Sequence, residues 1–188
     1  MNSRIKSNQV DKKIKGNFYL KKDKSLRLVK FEKKHISKNY LLWLKNKELK
    51  DNRQRYSKHT YPSAIKYLDK NKKEGNLFLA IEIKKGQKYN HIGNINLGID
   101  QKNKRGHLSI LLGKNKGQGI GLMVWNKAID IAFKFLNCDI VVAGTDSYNI
   151  PMVKIFKKVG MSTIKMNNYF YHKGKPRSSL IISYILKK

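Results

Sequence analysis

The stretch from Ser109 to Leu136 constrains the fold more than any other part of this 188-residue chain. An apolar run at 109–112 leads into a loop at 113–121, and four of the nine loop residues are glycine. A helical pattern follows at 122–136. A strand, a glycine-rich loop and a helix in this order present free backbone N–H groups and a helix N-terminus to an anionic group. Glycine suits such a loop because it allows positive φ and lets a ligand approach the backbone.

The helix after the loop is predicted to lie deep in the domain. Apolar side chains recur at spacings of three and four, and a second apolar stripe runs beside the first. The stripes comprise Leu122, Trp125, Ile129, Ala132 and Leu136, and Val124, Ala128, Ile131 and Phe135. The remaining polar face is narrow, which is typical of a buried helix. We therefore expect the glycine loop to be fixed to the core.

Residue positions exclude two common classes of glycine loop. A P-loop ends in Gly-Lys followed by Ser or Thr, whereas this loop ends in Gly119-Ile120-Gly121. The dinucleotide-binding fingerprint requires a third glycine where Leu122 stands. A third class, the acyl-CoA loop, has Arg or Gln, two residues, Gly, one residue, and Gly or Ala. The segment from Lys116 to Gly121 resembles this class, with Lys116 in the place of Arg or Gln.

The charge of the chain favours anionic partners. Its net charge is +30, with 36 lysines and only 6 arginines among the basic residues. AT-rich coding favours lysine, but it does not explain the scarcity of Asp and Glu, whose codons are also compatible with AT richness. Nucleic-acid binders usually depend on arginine, so the lysine bias indicates diffuse attraction instead. Nucleic acid is thus a partner left open but not favoured.

Cysteine content, histidine spacing and hydropathy predict the cellular compartment of the chain and whether it binds a metal. Cys138 is the only cysteine, so no internal disulfide is expected and a reducing compartment is favoured. The sequence shows no signal-peptide pattern and no apolar run near the ~18 residues of a membrane span. We therefore expect a cytoplasmic protein. The histidines lack metal-ligand spacing, so we expect no metal.

The predicted elements describe one mixed α/β domain. Residues 1–24 carry eight basic and two acidic side chains and are expected to form a flexible basic extension, and residues 25–188 form the domain. The expected fold is of the α+β type, a mostly antiparallel sheet of about seven strands flanked by about four helices. The expected order is a strand (26–31), two helices (37–46 and 61–75), a meander (77–83, 91–99, 107–112), the buried helix, a strand (139–144), a helix after Asn149 and a hairpin (161–171, 178–186).

A second motif follows the glycine loop. The segment from Asn149 to Met161 resembles a pattern of the GNAT superfamily of N-acetyltransferases: Asn, two residues, Ala or Ser, then Leu-Tyr-Glu-Lys-x-Gly-Phe. The acyl-CoA loop belongs to the same superfamily, and the order of elements from about Leu26 to Leu186 is similar as well. The resemblance implies the GNAT fold and acetyl-CoA as co-substrate, with transfer of acetyl to a primary amine.

The resemblance also implies which residues hold the cofactor. Backbone N–H groups at the N-terminus of the buried helix would bind the CoA pyrophosphate, and the preceding strand would pair with the pantetheine arm. Asn149 would lie beside that arm, although it can equally be a plain helix cap. The implied cofactor set is Leu111, Leu112, Lys116, Gly117, Gln118, Gly119, Ile120, Gly121, Asn149 and Phe156.

The catalytic residues depart from the family pattern. Phe156 stands where the family has a catalytic Tyr, and Phe cannot protonate the departing CoA thiolate. Tyr148 is a candidate for that role, and solvent is the alternative. No acidic residue lies on the strand at 106–112, where some members place a general base. His107, or a water held by Ser109 or Asn94, is the candidate base that makes the amine neutral.

The N-terminal half suggests the acceptor. Segments 40–48 and 91–98 resemble a branch that holds amino-sugar N-acetyltransferases of surface-polysaccharide pathways and ribosomal-protein N-terminal acetyltransferases. We expect a nucleotide-linked amino sugar, because its diphosphate suits a basic cleft. A protein N-terminus is the alternative, and a non-enzymatic nucleic-acid-binding protein on the same scaffold is a third. A homodimer is left open. The candidate acceptor residues are Arg53, Arg55, Tyr56, His59 and Asn94.

Overall fold

A computed structural model describes residues 16–45, 59–172 and 175–187 of the chain. Its strands are β1 (Phe18–Tyr19), β2 (Leu26–Lys30), β3 (Leu77–Lys85), β4 (Lys88–Asp100), β5 (Arg105–Leu112), β6 (Ile140–Asp146), β7 (Ser162–His172) and β8 (Lys175–Leu186). Its α-helices are α1 (Lys38–Leu44), α2 (Tyr61–Lys73), α3 (Ile120–Phe135) and α4 (Ile150–Lys158), and a 3-10 turn, Lys33–His35, precedes α1.

All the described strands belong to one sheet, in the order β1-β2-β3-β4-β5-β6-β8-β7. Neighbouring strands are antiparallel except for β5 and β6, which are parallel. With the four α-helices on its faces, this sheet confirms the predicted fold class. The described ranges contain eight strands rather than about seven, and the additional one is β1.

Strand β1 lies within the segment expected to be a flexible extension. Phe18 pairs with Leu28 and Tyr19 with Arg27, so β1 adds an edge to the sheet. The ring of Phe18 also packs on Phe135 of α3, with 6.2 Å between centroids. This part of the extension therefore joins the sheet, where Phe18 has apolar surface to bury, and the flexibility expected of residues 1–24 stays a prediction. Residues 1–15 lie outside the described ranges.

The sheet separates two apolar clusters. The larger cluster lies under α3 and α4 and includes Trp125 and Phe156. The smaller lies under α1 and α2 and includes Phe31 and Phe78. Eight of the sixteen residues of α3 are buried, which confirms the prediction of a helix deep in the domain. The five residues of β3 from 77 to 81 are all buried because helices cover both faces of that strand.

Three helices begin where their capping residues predict. The side chain of Ser37 accepts a hydrogen bond from the N–H of Tyr40, and Thr60 and Ser63 form a reciprocal capping box at the start of α2. Asn149 accepts from the N–H of Met152 at the start of α4. No helix in the described ranges is both long and apolar enough to cross a membrane.

The sheet opens at one place. Strand β5 pairs with β4 along its whole length, from Arg105 to Leu112. It pairs with β6 only where residues 105–107 meet residues 140–142, and the rest of β6 pairs with β8. A wedge therefore opens between 108–112 of β5 and 143–146 of β6. The glycine loop begins at the wide end of this wedge.

Candidate functional site

The glycine loop has the backbone shape of an anion-binding turn. Gly117 and Gly119 have φ of +80° and +73°, and Gly119 is the N-cap of α3. A Cβ atom on either glycine would meet no atom of the described ranges within 4 Å. These glycines are therefore required for the backbone conformation rather than for space. The first turn of α3 carries no acidic residue, so the partial positive charge at the helix N-terminus faces the loop uncompensated.

Two other glycines allow close packing around the loop. A Cβ on Gly121 would lie 3.2 Å from Ile155 and 3.3 Å from Leu112, which ties α3 to α4 and β5. A Cβ on Gly113 would overlap the ring of Trp43. The indole of α1 thus packs directly on the first residue of the loop. A helix on the opposite face of the sheet is in this way coupled to the loop.

The wedge offers backbone hydrogen-bonding groups beside the loop. Among the residues that the structure describes, 108–112 of β5 have no strand partner on the side of β6. An extended ligand can pair with such an edge as an added strand would. Leu111 packs on the smaller cluster and Leu112 on the larger one, so the two predicted cofactor residues are held from opposite faces.

On the far side of the wedge, the predicted site residues differ in their exposure and in their contacts. Asn149 caps α4 and donates to the Oγ1 atom of Thr145, 3.0 Å away, so the structure shows its capping role. Tyr148 is 70% exposed in the turn before α4. Phe156 has no exposed surface, and its ring lies 5.6 Å from that of Trp125. The apolar ring therefore belongs to the core, and contact between Phe156 and the cofactor stays a prediction.

A row of polar side chains lies on the face of the sheet covered by α1 and α2. Asn94 is opposite Leu111 across the β4–β5 ladder, and Asn96 is opposite Ser109. The amide nitrogen of Asn96 donates to the hydroxyl of Tyr67 at 2.8 Å and to Asn71 at 2.9 Å. Neither Tyr67, Asn71 nor Asn96 was identified from the sequence. The sequence indicates them only weakly. Asn96 alternates with Asn94 along the strand, and Tyr67 and Asn71 are a polar pair one turn apart on α2.

Two buried oxygens in this row are unsatisfied. The Oδ1 atoms of Asn94 and Asn96 have no hydrogen-bond partner within the described part of the chain. A buried acceptor without a donor costs about 1–3 kcal/mol. Both oxygens lie beside the strand that borders the wedge. They can accept hydrogen bonds from an N–H group that enters this face.

The candidate base residues lie along β5. His107 stands opposite Gly98, at the last position where β5 pairs with β6. Partial desolvation of its ring, and then the charge of Arg105, lower the pKa of the His107 imidazole, although the residue is exposed. Ser109 is exposed two residues further along the same strand, towards the wedge. Of the predicted acceptor wall, His59 is partly buried just before α2, and Arg53, Arg55 and Tyr56 lie outside the described residues.

A buried ionic cluster lies near the N-terminal end of β4. Glu82 accepts hydrogen bonds from Arg27 at 2.8 Å and from His35 at 3.2 Å. Burial raises the pKa of Glu82, but these two hydrogen bonds outweigh burial and hold it below its usual value. The ring of His91 lies 5.2 Å from those of His35 and Trp43. Burial, followed by repulsion from His35, lowers the pKa of His91 to about 4.

No set of three or more His, Cys, Asp or Glu side chains in the described ranges is arranged to hold a metal ion. The expected absence of a metal stays a prediction.

Comparison with known proteins identifies the family. A family model for the acetyltransferase (GNAT) domain matches residues 25–162. The chain belongs to the GNAT acetyltransferase family. It is therefore an acyltransferase, with acetyl-CoA as the co-substrate that a GNAT domain implies. This removes the main support for the non-enzymatic alternative, whereas the branch within the family stays a prediction.

Solved structures share the GNAT fold of the chain. A spermidine N-acetyltransferase SpeG chimera from Vibrio cholerae and hSSAT is 21% identical, with a TM-score of 0.70 over 86% of this chain and 95% of that one. The spermidine/spermine N-acetyltransferase SpeG from Vibrio cholerae in complex with manganese ions is 18% identical, with a TM-score of 0.68 over 86% and 92%. A probable acetyltransferase is 18% identical, with a TM-score of 0.67 over 92% and 97%. No curated protein matches the sequence significantly.

Proposed function

We propose that this GNAT enzyme transfers acetyl from acetyl-CoA to the primary amine of a small molecule that also carries negative charge, of the class of nucleotide-linked amino sugars. The observation that carries the transferase chemistry is the β5–β6 wedge, which ends at a glycine loop in left-handed conformation on the N-terminus of α3. The basic character of the chain, +30 overall, carries the preference for an anionic acceptor.

In this proposal the cofactor follows the loop and the wedge. Backbone N–H groups of 118–121 bind the pyrophosphate, with Lys116 and Gly117 leading into them. The free backbone edge of Leu111 and Leu112 pairs with the pantetheine arm. Asn149 contacts the same arm from the opposite wall of the wedge while it caps α4.

The acceptor amine approaches from the face that carries Asn94 and Asn96. Their unsatisfied Oδ1 atoms accept hydrogen bonds from the amine and so orient its lone pair towards the thioester. The amine must first lose a proton, and His107, directly or through a water held by Ser109, accepts it. The lowered pKa of His107 favours its neutral imidazole, which is the form that can accept a proton.

The acid that protonates the departing thiolate has two candidates. Tyr148 is the one expected from sequence, although it is largely exposed. Tyr67 is the one that the structure adds. Its hydroxyl oxygen accepts the hydrogen bond from Asn96, which leaves the hydroxyl proton free to be donated. Comparing Tyr67→Phe with Tyr148→Phe decides between them, because only loss of the acid lowers kcat without a matching change in acetyl-CoA affinity.

Two other classes of acceptor are alternatives to the nucleotide-linked amino sugar. A polyamine is the second candidate, because solved spermidine N-acetyltransferases share the fold with TM-scores of 0.70 and 0.68. Net charge opposes this candidate, since a polycation is repelled by a strongly basic protein. A free protein N-terminus, as in the ribosomal-protein branch, is the third class.

The test measures thiol release from acetyl-CoA by the full chain with three acceptors: a UDP-linked amino sugar, spermidine, and a short peptide with a free α-amine. We expect turnover with the UDP-linked amino sugar and little with the other two. Turnover with spermidine alone would replace the proposed acceptor while keeping the reaction.

A matched pair of variants tests the cofactor loop. Gly119→Trp places an indole where the pyrophosphate is proposed to bind. Gly160→Trp imposes the same backbone strain at the far end of α4, because Gly160 has φ of +72° and is equally open. Calorimetry should show acetyl-CoA binding by wild type and Gly160→Trp and none by Gly119→Trp. Equal binding by both variants would move the cofactor away from this loop.

A further inference from the structure

A cavity of about 350 Å³ lies beside the glycine loop. It is bounded by the start of α1, by the β3–β4 turn and by the first residues of the loop. Its lining includes Asn39, Lys85, Asn90, His91, Lys114 and Asn115. None of the described residues that line it is acidic. Its walls therefore combine two ammonium groups with amide donors.

The cavity is fixed to the loop by backbone hydrogen bonds. The N–H groups of Gly113 and Lys114 both donate to the carbonyl of Ile92, at 2.9 and 3.2 Å. The side chain of Asn115 donates to that of Gln118 at 3.3 Å. The cavity therefore shares its wall with the segment proposed to bind the pyrophosphate. Lys114 and Asn115 belong both to the loop and to the cavity wall.

We propose that this cavity is a phosphate-binding subsite, in which Lys85 and Lys114 neutralise a phosphate group and the neighbouring asparagine amides donate to its oxygens. Lysine serves such sites as a point charge. The phosphate has two sources, the 3′-phosphate of CoA or a phosphate of the acceptor. The subsite rests on the proposed function only for its source, because phosphate binding itself needs no catalysis.

The strand that carries Lys85 also provides a matched control. Lys84 and Lys85 are consecutive and exposed in β3, so their side chains leave opposite faces of the strand. Only Lys85 lines the cavity. Lys84→Gln and Lys85→Gln therefore remove the same charge from the same strand, but only one of them changes the cavity wall.

The first experiment titrates the full chain with inorganic phosphate and follows the ring signals of His91 by NMR. We expect a saturable shift, with affinity weakened about three- to fivefold by Lys85→Gln or Lys114→Gln, as an exposed charge pair allows. Lys84→Gln should leave the affinity within about twofold of wild type. Absence of a saturable shift, or equal weakening by Lys84→Gln, would overturn the subsite in favour of diffuse attraction.

The second experiment identifies the source. Calorimetry compares CoA, 3′-dephospho-CoA and a UDP-linked amino sugar on wild type and Lys85→Gln. Loss of affinity for CoA but not for 3′-dephospho-CoA assigns the subsite to the cofactor. Loss only for the UDP-linked sugar assigns it to the acceptor. If the variant binds all three as wild type does, the subsite serves neither ligand and the proposal fails, whereas an acceptor that binds but is not acetylated counts against the proposed function alone.

Discussion

Replacing His91 with phenylalanine removes a titratable group from the aromatic cluster between α1 and the sheet. Its ring lies 5.2 to 6.1 Å from four others, those of Phe31, His35, Tyr40 and Trp43. Neither of its ring nitrogens makes a well-formed hydrogen bond within the described residues, although the backbone of Gly93 and His35 lies close enough to affect its pKa. Phenylalanine fits such surroundings in shape and polarity.

The sign of the pH dependence follows from the pKa of His91. Burial, and then the charge of His35, lower it from 6.5 to about 4 in the folded state. Between these values the unfolded chain binds more protons than the folded one, so the free energy of unfolding falls as pH falls. Between pH 8 and pH 5 the loss is about 2 kcal/mol for this one group. The contribution of Glu82, whose pKa is lowered, is lost as pH falls from its usual pKa of 4.5 towards the lowered value, so pH 5 lies above most of that loss and is a suitable lower limit.

Urea unfolding at pH 8, 7, 6 and 5 measures the effect on wild type and His91→Phe. The wild type should lose about 2 kcal/mol more than the variant over this range, with unchanged m-values. His107→Phe serves as the control, because His107 lies on an exposed strand position and a smaller effect is expected. Parallel pH dependence of wild type and His91→Phe would mean that the ring of His91 is solvated or paired. The aromatic cluster would then not bury its imidazole, which would contradict the reasoning.

Three more perturbations test other parts of the structure. Gly113→Ala drives a methyl group into the ring of Trp43 and should lower the free energy of unfolding by about 2 kcal/mol, and a smaller side chain at 43 in the same chain should recover part of it. Asn94→Leu should leave stability in urea unchanged or higher, since it removes an unsatisfied oxygen, while raising the KM for the acceptor; lower stability with unchanged KM would contradict the proposed role. Burial raises the pKa of Cys138 to about 11, so the native protein should resist alkylation at pH 8 while the urea-unfolded chain reacts, and equal rates would show that the thiol is accessible.

The correctly predicted parts of the fold are those that depend on short segments of sequence. The apolar stripes predicted a helix at 122–136, and α3 spans Ile120–Phe135. Ser37 and Asn149 cap the helices that follow them. Such features depend on residues within one or two turns of each other, so periodicity and capping chemistry are enough to identify them.

The parts that were missed depend on residues far apart in the chain. His35 and Arg27 bind Glu82 across 47 and 55 positions, and Asn96 binds Tyr67 across 29. A single sequence does not give the strand register that brings such partners together. The burial of Phe156 likewise depends on distant residues. Its place in a motif suggests contact with the cofactor, whereas only the packing against α3 shows that the ring is buried.

Charge distinguishes the acceptor classes in a way that the shared fold does not. Glu82 is a buried acidic residue near the cavity. Its carboxylate already binds Arg27 and His35, so it is not available to bind a polyamine. The segment at 46–58 has five basic and two acidic residues, so its composition also favours an anion. Attraction of this kind weakens as salt screens it, and repulsion weakens equally. Raising the ionic strength should therefore lower kcat/KM for a UDP-linked amino sugar and raise it for spermidine; a kcat/KM for the sugar that ignores salt would separate the basic charge of this chain from its choice of acceptor.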